Sequence, residues 1–108
     1  MGDELRPALE PKMREGNVAI RIFVTMQALP GKGAELVRLR APRHAEVRKD
    51  PGCEQFDLFQ NTEDPDQVLL VERCTDEASF EAHYALNRPQ IGVELRAGTG
   101  KQERYVVD

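Results

Sequence analysis

The chain has 108 residues, which is enough for one domain with a modest two-layer core and too few for two cores. Hydrophobic residues make up 40% and charged residues 31%, and the acids and bases are interspersed to a net charge of −4. A nucleic-acid partner is disfavoured because phosphate binding needs a basic face. The sequence also has no apolar run close to the roughly 20 residues of a membrane span and no apolar signal core at its N-terminus. We therefore expect a cytoplasmic protein without membrane contact.

Two cysteines are too few for a disulfide framework, and no spacing of Cys and His resembles a zinc site. The sequence therefore predicts no metal. Cys53 and Cys74 could form a redox pair if they face each other across two strands, but cytosolic thiols usually remain reduced. We favour two buried thiols.

The first half of the chain predicts a tail, a strand and a helix. Residues 1–16 are rich in charge and contain two prolines, which predicts a flexible N-terminal tail ahead of a domain over residues 17–108. Apolar and mixed positions alternate over residues 18–27, as in a strand with one buried face. A broad apolar stripe predicts a helix over residues 34–49, with a kink at Pro42.

Two further strands, Cys53–Gln60 and Gln67–Cys74, flank a polar loop and predict a hairpin. The expected register pairs Gln60 with Gln67, Phe56 with Val71, and Cys53 with Cys74. In that register Asp57, Phe59 and Glu72 share one mixed face of the hairpin.

The second half predicts another helix and a last strand. Thr75 is a good N-cap for a helix over residues 76–86. Pro89 fits the first turn of a short helix that runs to Leu95, and residues 102–107 form the last strand. The resulting order, βαββαβ, predicts an α+β, ferredoxin-like fold in which helices cover one face of a four-stranded antiparallel sheet. The other sheet face stays apolar, so we expect a homodimer that packs through that face.

The strongest candidate site lies where the third strand ends and the second long helix begins. Glu72 places a carboxylate at the strand end, where burial requires a partner. Phe80, His83, Tyr84 and Asn87 follow at i, i+3, i+4 and i+7 and share one helix face. Imidazoles suit proton transfer at neutral pH, so His83 is the candidate general base, with Glu72 as its orienting group. The alternative is a structural hydrogen bond between the two.

The remaining candidates would shape or line a substrate cavity. Each has a structural alternative: Tyr84 could be core, and Asn87 could cap the helix C-terminus. The candidate substrate-binding residues are Tyr84, Phe23, Phe59, Arg21, Asp57, Cys74 and Asn87.

Four segments in this order resemble the antibiotic biosynthesis monooxygenase superfamily. They are Pro30-Gly31 after the first strand, Arg48-x-x-Pro51-Gly52-Cys53 at the start of the second, Glu72 at the end of the third, and Asp76-x-x-x-Phe80-x-x-His83 on the next helix. The resemblance spans about residues 18–107. It implies a dimeric α+β barrel, and some members of the family oxidise phenolic or quinol-type polycyclic substrates with O₂ and without metal or flavin.

The resemblance thus implies a cofactor-independent monooxygenase acting on a small aromatic or quinol-like molecule. Cys74 stands where the family often has a tryptophan that holds the aromatic substrate, and this chain has no Trp. That difference keeps open a non-catalytic dimeric barrel that binds a small apolar ligand. A haem-binding or haem-degrading relative, with His83 as axial ligand, is the third hypothesis.

Overall fold

The computed structural model describes residues 5–7 and 18–107. The elements, in chain order, are β1 Leu5–Pro7, β2 Ala19–Gln27, α1 Gly33–Val47, β3 Cys53–Gln60, β4 Gln67–Cys74, α2 Glu77–Ala85, a 3₁₀ turn over Val93–Leu95, and β5 Lys101–Val107.

Strands β2 to β5 and the two helices follow the predicted βαββαβ order. All strand pairs are antiparallel, and the order across the sheet is β1-β5-β2-β4-β3. Both helices pack on the same face of the sheet, because residues of α1 and of α2 contact alternate, inward-pointing residues of β2 and β4. The α+β, ferredoxin-like fold is therefore confirmed.

Strand β1 is an addition to the predicted four strands. Leu5 pairs with Val107 and Pro7 with Tyr105, so β1 extends the sheet beside β5. The other residues of the predicted tail over 1–16 lie outside the described residues, and the flexible tail stays a prediction.

The core lies between the sheet and the helices in two clusters. The α1 cluster is built around Leu36 and Val47, and the α2 cluster around Phe80. Val24 on β2 packs against both clusters. The middle of the sheet therefore forms the floor of the space between the two clusters.

The hairpin register differs from the predicted one by one residue. Cys53 does pair with Cys74, but an irregularity between Cys53 and Gln55 then shifts the strand, so that Phe56 pairs with Glu72 and Gln60 with Val68. A bulge adds one residue to one strand, and a one-residue shift moves every later side chain to the opposite face. Glu72 therefore faces the helices with Phe56.

Two predictions about helices were wrong, one on the cap of α2 and one on the short helix from Pro89 to Leu95. Asp76, not Thr75, caps α2, because its side chain accepts a 2.8 Å hydrogen bond from the backbone N–H of Ser79. The segment after Pro89 contains only the 3₁₀ turn, because Gly92 adopts a left-handed φ of 80° that interrupts a helix.

The outer face of the sheet carries a patch of partly exposed apolar side chains. The pairs Phe23–Val71 and Phe59–Leu69 face each other across neighbouring strands, and the Phe23 ring lies 6.1 Å from that of Tyr105. Among the described residues, no helix is long and apolar enough to cross a membrane.

Candidate active site

A cleft of about 310 Å³ opens between the two core clusters. Its floor is apolar and comes from the sheet, namely Val24, Met26, Phe56 and Leu70. Its walls are polar and come from α1, from α2 and from the segment over residues 87–96. An apolar floor with a few polar groups at the walls is typical of small-molecule sites.

His83 reaches this cleft from α2 and is held by a carboxylate behind it. Its Nδ1 atom lies 3.1 Å from Oδ2 of Asp50, which lies three residues beyond the end of α1. Arg88 donates two hydrogen bonds, of 2.7 and 2.8 Å, to the two oxygens of the same carboxylate. These bonds lower the pKa of Asp50, with the Arg88 bond first and burial opposing it.

The tautomer of His83 follows from this arrangement. The 3.1 Å contact with Asp50 favours a hydrogen on Nδ1, because an ionised carboxylate can only accept, and Nη1 of Arg88 lies farther from Nδ1, at 3.4 Å. In the neutral ring, Nε2 is then left as an acceptor.

Glu72 lies on the other side of the imidazole. Its Oε1 atom is 4.0 Å from Nε2 of His83, and the residue is only 6% exposed. Burial raises the pKa of Glu72 to about 7, while the charge of Arg40 opposes the shift. At neutral pH the carboxyl group is therefore divided between its two forms. Nε2 and Glu72 face each other, at a distance too long for a direct hydrogen bond.

A second buried histidine supports the wall instead of facing the cleft. His44 is 1% exposed and accepts a 3.1 Å hydrogen bond at Nε2 from Nε of Arg40. Burial, with help from Arg40 and Arg48, lowers the pKa of His44 to about 4. His44 is therefore neutral at pH 7 and acts as an acceptor that positions Arg40.

Tyr84 and Asn87 stand at the mouth of the cleft. Tyr84 is half-exposed, and its hydroxyl donates a 3.0 Å hydrogen bond to Gln102. Its ring centroid is 5.9 Å from that of His83. Asn87 directly follows Leu86, the C-cap residue of α2, and its φ of 48° turns the chain out of the helix. Asn87 also lines the cleft.

The sequence profile of the antibiotic biosynthesis monooxygenase family matches residues 19–88. The chain belongs to this family. The matched range holds Glu72, His83, Asp50 and Arg88, whereas Arg96 and β5 lie beyond it. No curated protein sequence matches the chain.

Several solved structures are similar to this fold. A protein of Nitrosomonas europaea named for the antibiotic biosynthesis monooxygenases has a TM-score of 0.74 at 18% identity, over 86% of this chain and 93% of that one. A conserved protein of Methanosarcina mazei Go1 has a TM-score of 0.67 at 24% identity, over 82% and 91%. A protein of Pseudomonas aeruginosa has a TM-score of 0.66 at 25% identity, over 84% and 95%. These similarities support the family fold.

Four of the predicted cavity residues lie away from the cleft. Phe23, Phe59, Arg21 and Asp57 are on the outer face of the sheet, opposite the helices. Arg21 donates to the side chain of Gln55, which in turn donates to Asp57. The structure therefore does not bring these four residues together with His83 and Glu72 within one protomer.

Cys74 lies on the helix face but in the α2 cluster, beside the cleft and not in its wall. Both cysteines are free thiols, and burial raises the pKa of Cys74 to about 12. A thiol with that pKa is protonated and a poor nucleophile at neutral pH. Its place fits the predicted buried thiol.

Sequence reasoning missed Asp50, Arg88 and Arg40 as site residues. Asp50 lies just beyond the predicted helix over residues 34–49, and Arg88 just before the predicted short helix that begins at Pro89. The sequence does contain one signal. Asp50 and Arg88 each precede a proline, and a residue before proline is disfavoured in helical conformation, so both charged residues were expected in irregular segments. The 38-residue separation of that ion pair has no local pattern that reveals it.

Proposed function

We propose that this family member is a monooxygenase that oxidises a small aromatic or quinol-like molecule with O₂, with His83 as the general base. The observation that carries the proposal is the direction of the imidazole. Its Nδ1 side lies against Asp50, and its Nε2 side lies toward Glu72. A ring held in this way offers its basic nitrogen to a substrate on the apolar floor.

The proposed chemistry starts with a phenolic hydroxyl, such as that of the enol form of an anthrone. Nε2 of His83 takes its proton, and the electron-rich anion passes one electron to O₂. The radical and superoxide then combine at the ring carbon opposite the oxygen, and the peroxide anion takes back the proton from the imidazolium. The resulting hydroperoxide loses water to leave a new carbonyl. In sum a CH₂ group and O₂ give C=O and H₂O, so the substrate supplies all four electrons.

The protein's share of this reaction is positioning, desolvation and proton transfer. Asp50 takes the orienting role first considered for Glu72, because it is the carboxylate in hydrogen-bond contact with the ring. Glu72 has a pKa of about 7, near the working pH, and at 4.0 Å from Nε2 it can take the proton through one water and return it to the peroxide.

We also propose that the working unit is a homodimer that packs through the outer sheet face. The apolar side chains of that face cross three neighbouring strands, and Phe59 is 50% exposed in the single chain. Contiguous apolar patches of this kind usually mark an interface. A dimer would also cover Phe23 and Val71.

The experiment is O₂ uptake with a panel of anthrones and hydroquinones, using the wild type and His83→Ala. We expect turnover by the wild type and a loss of about 10²- to 10⁴-fold in the variant, which is the usual contribution of a general base. Glu63→Gln, on the exposed β3–β4 loop, is the control and should match the wild type. Equal rates for the wild type and His83→Ala would show that His83 is not the general base. Binding without turnover of any substrate would support the non-catalytic alternative.

A further inference from the structure

One wall of the cleft is cationic although the chain as a whole is acidic. Arg40 and Arg43 project from α1, and Arg96 projects from the segment that follows the 3₁₀ turn. The net charge of the chain is −4. A cleft lined by one sign of charge raises the local concentration of ligands of the opposite sign.

The guanidinium groups have mainly neutral partners. Nη1 of Arg40 donates to the carbonyl of Ile91 at 3.2 Å, and its Nε to the neutral His44. Nη2 of Arg96 donates to the side-chain oxygen of Gln90 at 2.8 Å, and its Nε atom is buried without a hydrogen-bond partner in the described part of the chain.

The third arginine has only a peripheral counter-ion. Arg43 donates to the carbonyl of Pro89 at 2.7 Å and approaches Glu46 at 3.4 Å, but the Glu46 side chain is 62% exposed. An ion pair so open to water contributes little charge compensation to the cleft.

The nearby carboxylates do not balance this charge either. The charge of Asp50 is already paired with that of Arg88, which donates two hydrogen bonds to it. Glu72 has a pKa of about 7 and is only partly ionised at neutral pH. The pKa of Arg40 is lowered by burial and then by repulsion from Arg96 and Arg43, so each of these two arginines is close enough to Arg40 to oppose its charge.

We propose that this wall binds an oxyanion of the substrate, so that the cleft selects an aromatic molecule with a hydroxyl at one end and an acidic group such as a carboxylate at the other. This inference rests on the proposed function for the placement of the hydroxyl at His83. Arg96 and Arg40 bind the anionic group, since a guanidinium donates two parallel hydrogen bonds to a carboxylate. The ring lies on the apolar floor between the two ends.

The test is equilibrium binding of two matched fluorescent probes. The acidic probe is 6-hydroxy-2-naphthoate, and the neutral probe is 6-(hydroxymethyl)-2-naphthol, which keeps the ring and the phenol. In the wild type we expect the acid to bind about 10-fold or more tightly than the alcohol, as charge-assisted hydrogen bonds predict. That preference should shrink as NaCl is raised.

Substitutions of Arg96 test whether the preference for the acidic probe comes from the arginine wall. Arg96→Gln should weaken binding of the acid about 10-fold and change binding of the alcohol by less than about twofold. Arg96→Lys, which keeps the charge, should retain part of the preference. Arg38→Gln is the control, because Arg38 is exposed on α1 and does not line the cleft. Thermal melting confirms that each variant is folded.

Equal affinity of the wild type for both probes would overturn the inference, as would an Arg96→Gln variant that loses both probes alike. These outcomes are distinct from failure of the proposed function. If the acid is preferred but neither it nor the anthrone panel consumes O₂, the oxyanion site stands and the monooxygenase proposal fails. If anthrones turn over but the acid has no advantage, only the oxyanion site fails.

Discussion

The carboxyl group of Glu72 is buried, and its burial lowers the free energy of unfolding at the pH values where the group would otherwise be ionised. Its pKa is about 7 in the folded chain against 4.5 for an ordinary glutamate. Between these values the unfolded chain releases a proton that the folded chain retains. The contribution of Glu72 to stability is therefore fully present below pH 4.5 and is lost as the pH rises to 7.

Replacing Glu72 by Gln should remove this pH dependence. Relative to the wild type, the free energy of unfolding of Glu72→Gln should rise by about 2 kcal/mol between pH 5 and pH 8, because each pKa unit corresponds to about 1.4 kcal/mol. Urea unfolding of both proteins at the two pH values measures this change. Glu63→Gln, at an exposed position, should follow the wild type. A Glu72→Gln difference that stays constant with pH would show that Glu72 is ionised normally.

The sequence placed Glu72 and His83 together, since a strand end and the next helix face are local features. The ion pair of Asp50 with Arg88, and the arginines from α1 and from residue 96, required the tertiary fold. The sequence does not distinguish an arginine that lines a pocket from one on the surface, because both appear as single charged positions between apolar ones.

The segment over residues 88–96 forms one side of the cleft and depends on Gly92. That residue has a φ of 80°, and a Cβ atom there would stand 2.6 Å from Cδ1 of Leu36, which is fully buried. The backbone conformation and the close approach to α1 therefore both require glycine.

Gly92→Ala should be more destabilising than the matched variant Gly98→Ala. Gly98 has a φ of 79° but open space around its Cβ position, so its replacement measures the backbone term alone. We expect a loss of about 1 kcal/mol for Gly98→Ala and about 2–4 kcal/mol for Gly92→Ala, because overpacking adds to the strain. Urea unfolding compares the two. Equal losses of unfolding free energy in the two variants would mean that the Leu36 side chain moves aside without a packing cost.

Element order and type followed from the sequence, because each long element has a clear apolar period. The hairpin register did not, because a bulge next to Cys53 leaves the alternation of apolar and polar residues in each strand intact. That shift is why Phe59 and Asp57, grouped with Glu72 by the expected register, lie on the opposite face of the sheet. The predicted pairing of Cys53 with Cys74 survived because it precedes the bulge.

At the scale of the whole molecule, the predicted homodimer is testable through the outer sheet face. Val71 lies at the centre of that face, opposite Phe23. Val71→Lys should convert a dimer into a monomer, because it would bury a charge in an apolar interface. Leu39→Lys is the control, since Leu39 is a 44% exposed apolar residue on α1. Light scattering over a range of concentrations measures the masses.

Wild-type and Leu39→Lys proteins should both have twice the mass of the chain. A monomeric wild type would contradict the dimer outright. A Val71→Lys protein that stays dimeric would show that the dimer interface is not the outer sheet face. The fold class itself could be predicted because the order of strands and helices permits few topologies.

The claim on which the proposed activity depends is that His83 removes the proton of a bound hydroxyl. Anaerobic absorbance of anthrone with the protein tests this directly, because without O₂ the ionised form can accumulate and absorbs at longer wavelength than the neutral form. We predict the long-wavelength band with the wild type at pH 7.5, and bound but neutral anthrone with His83→Ala. Anthrone that stays neutral when bound to the wild type, or an equal band with both proteins, would contradict the account.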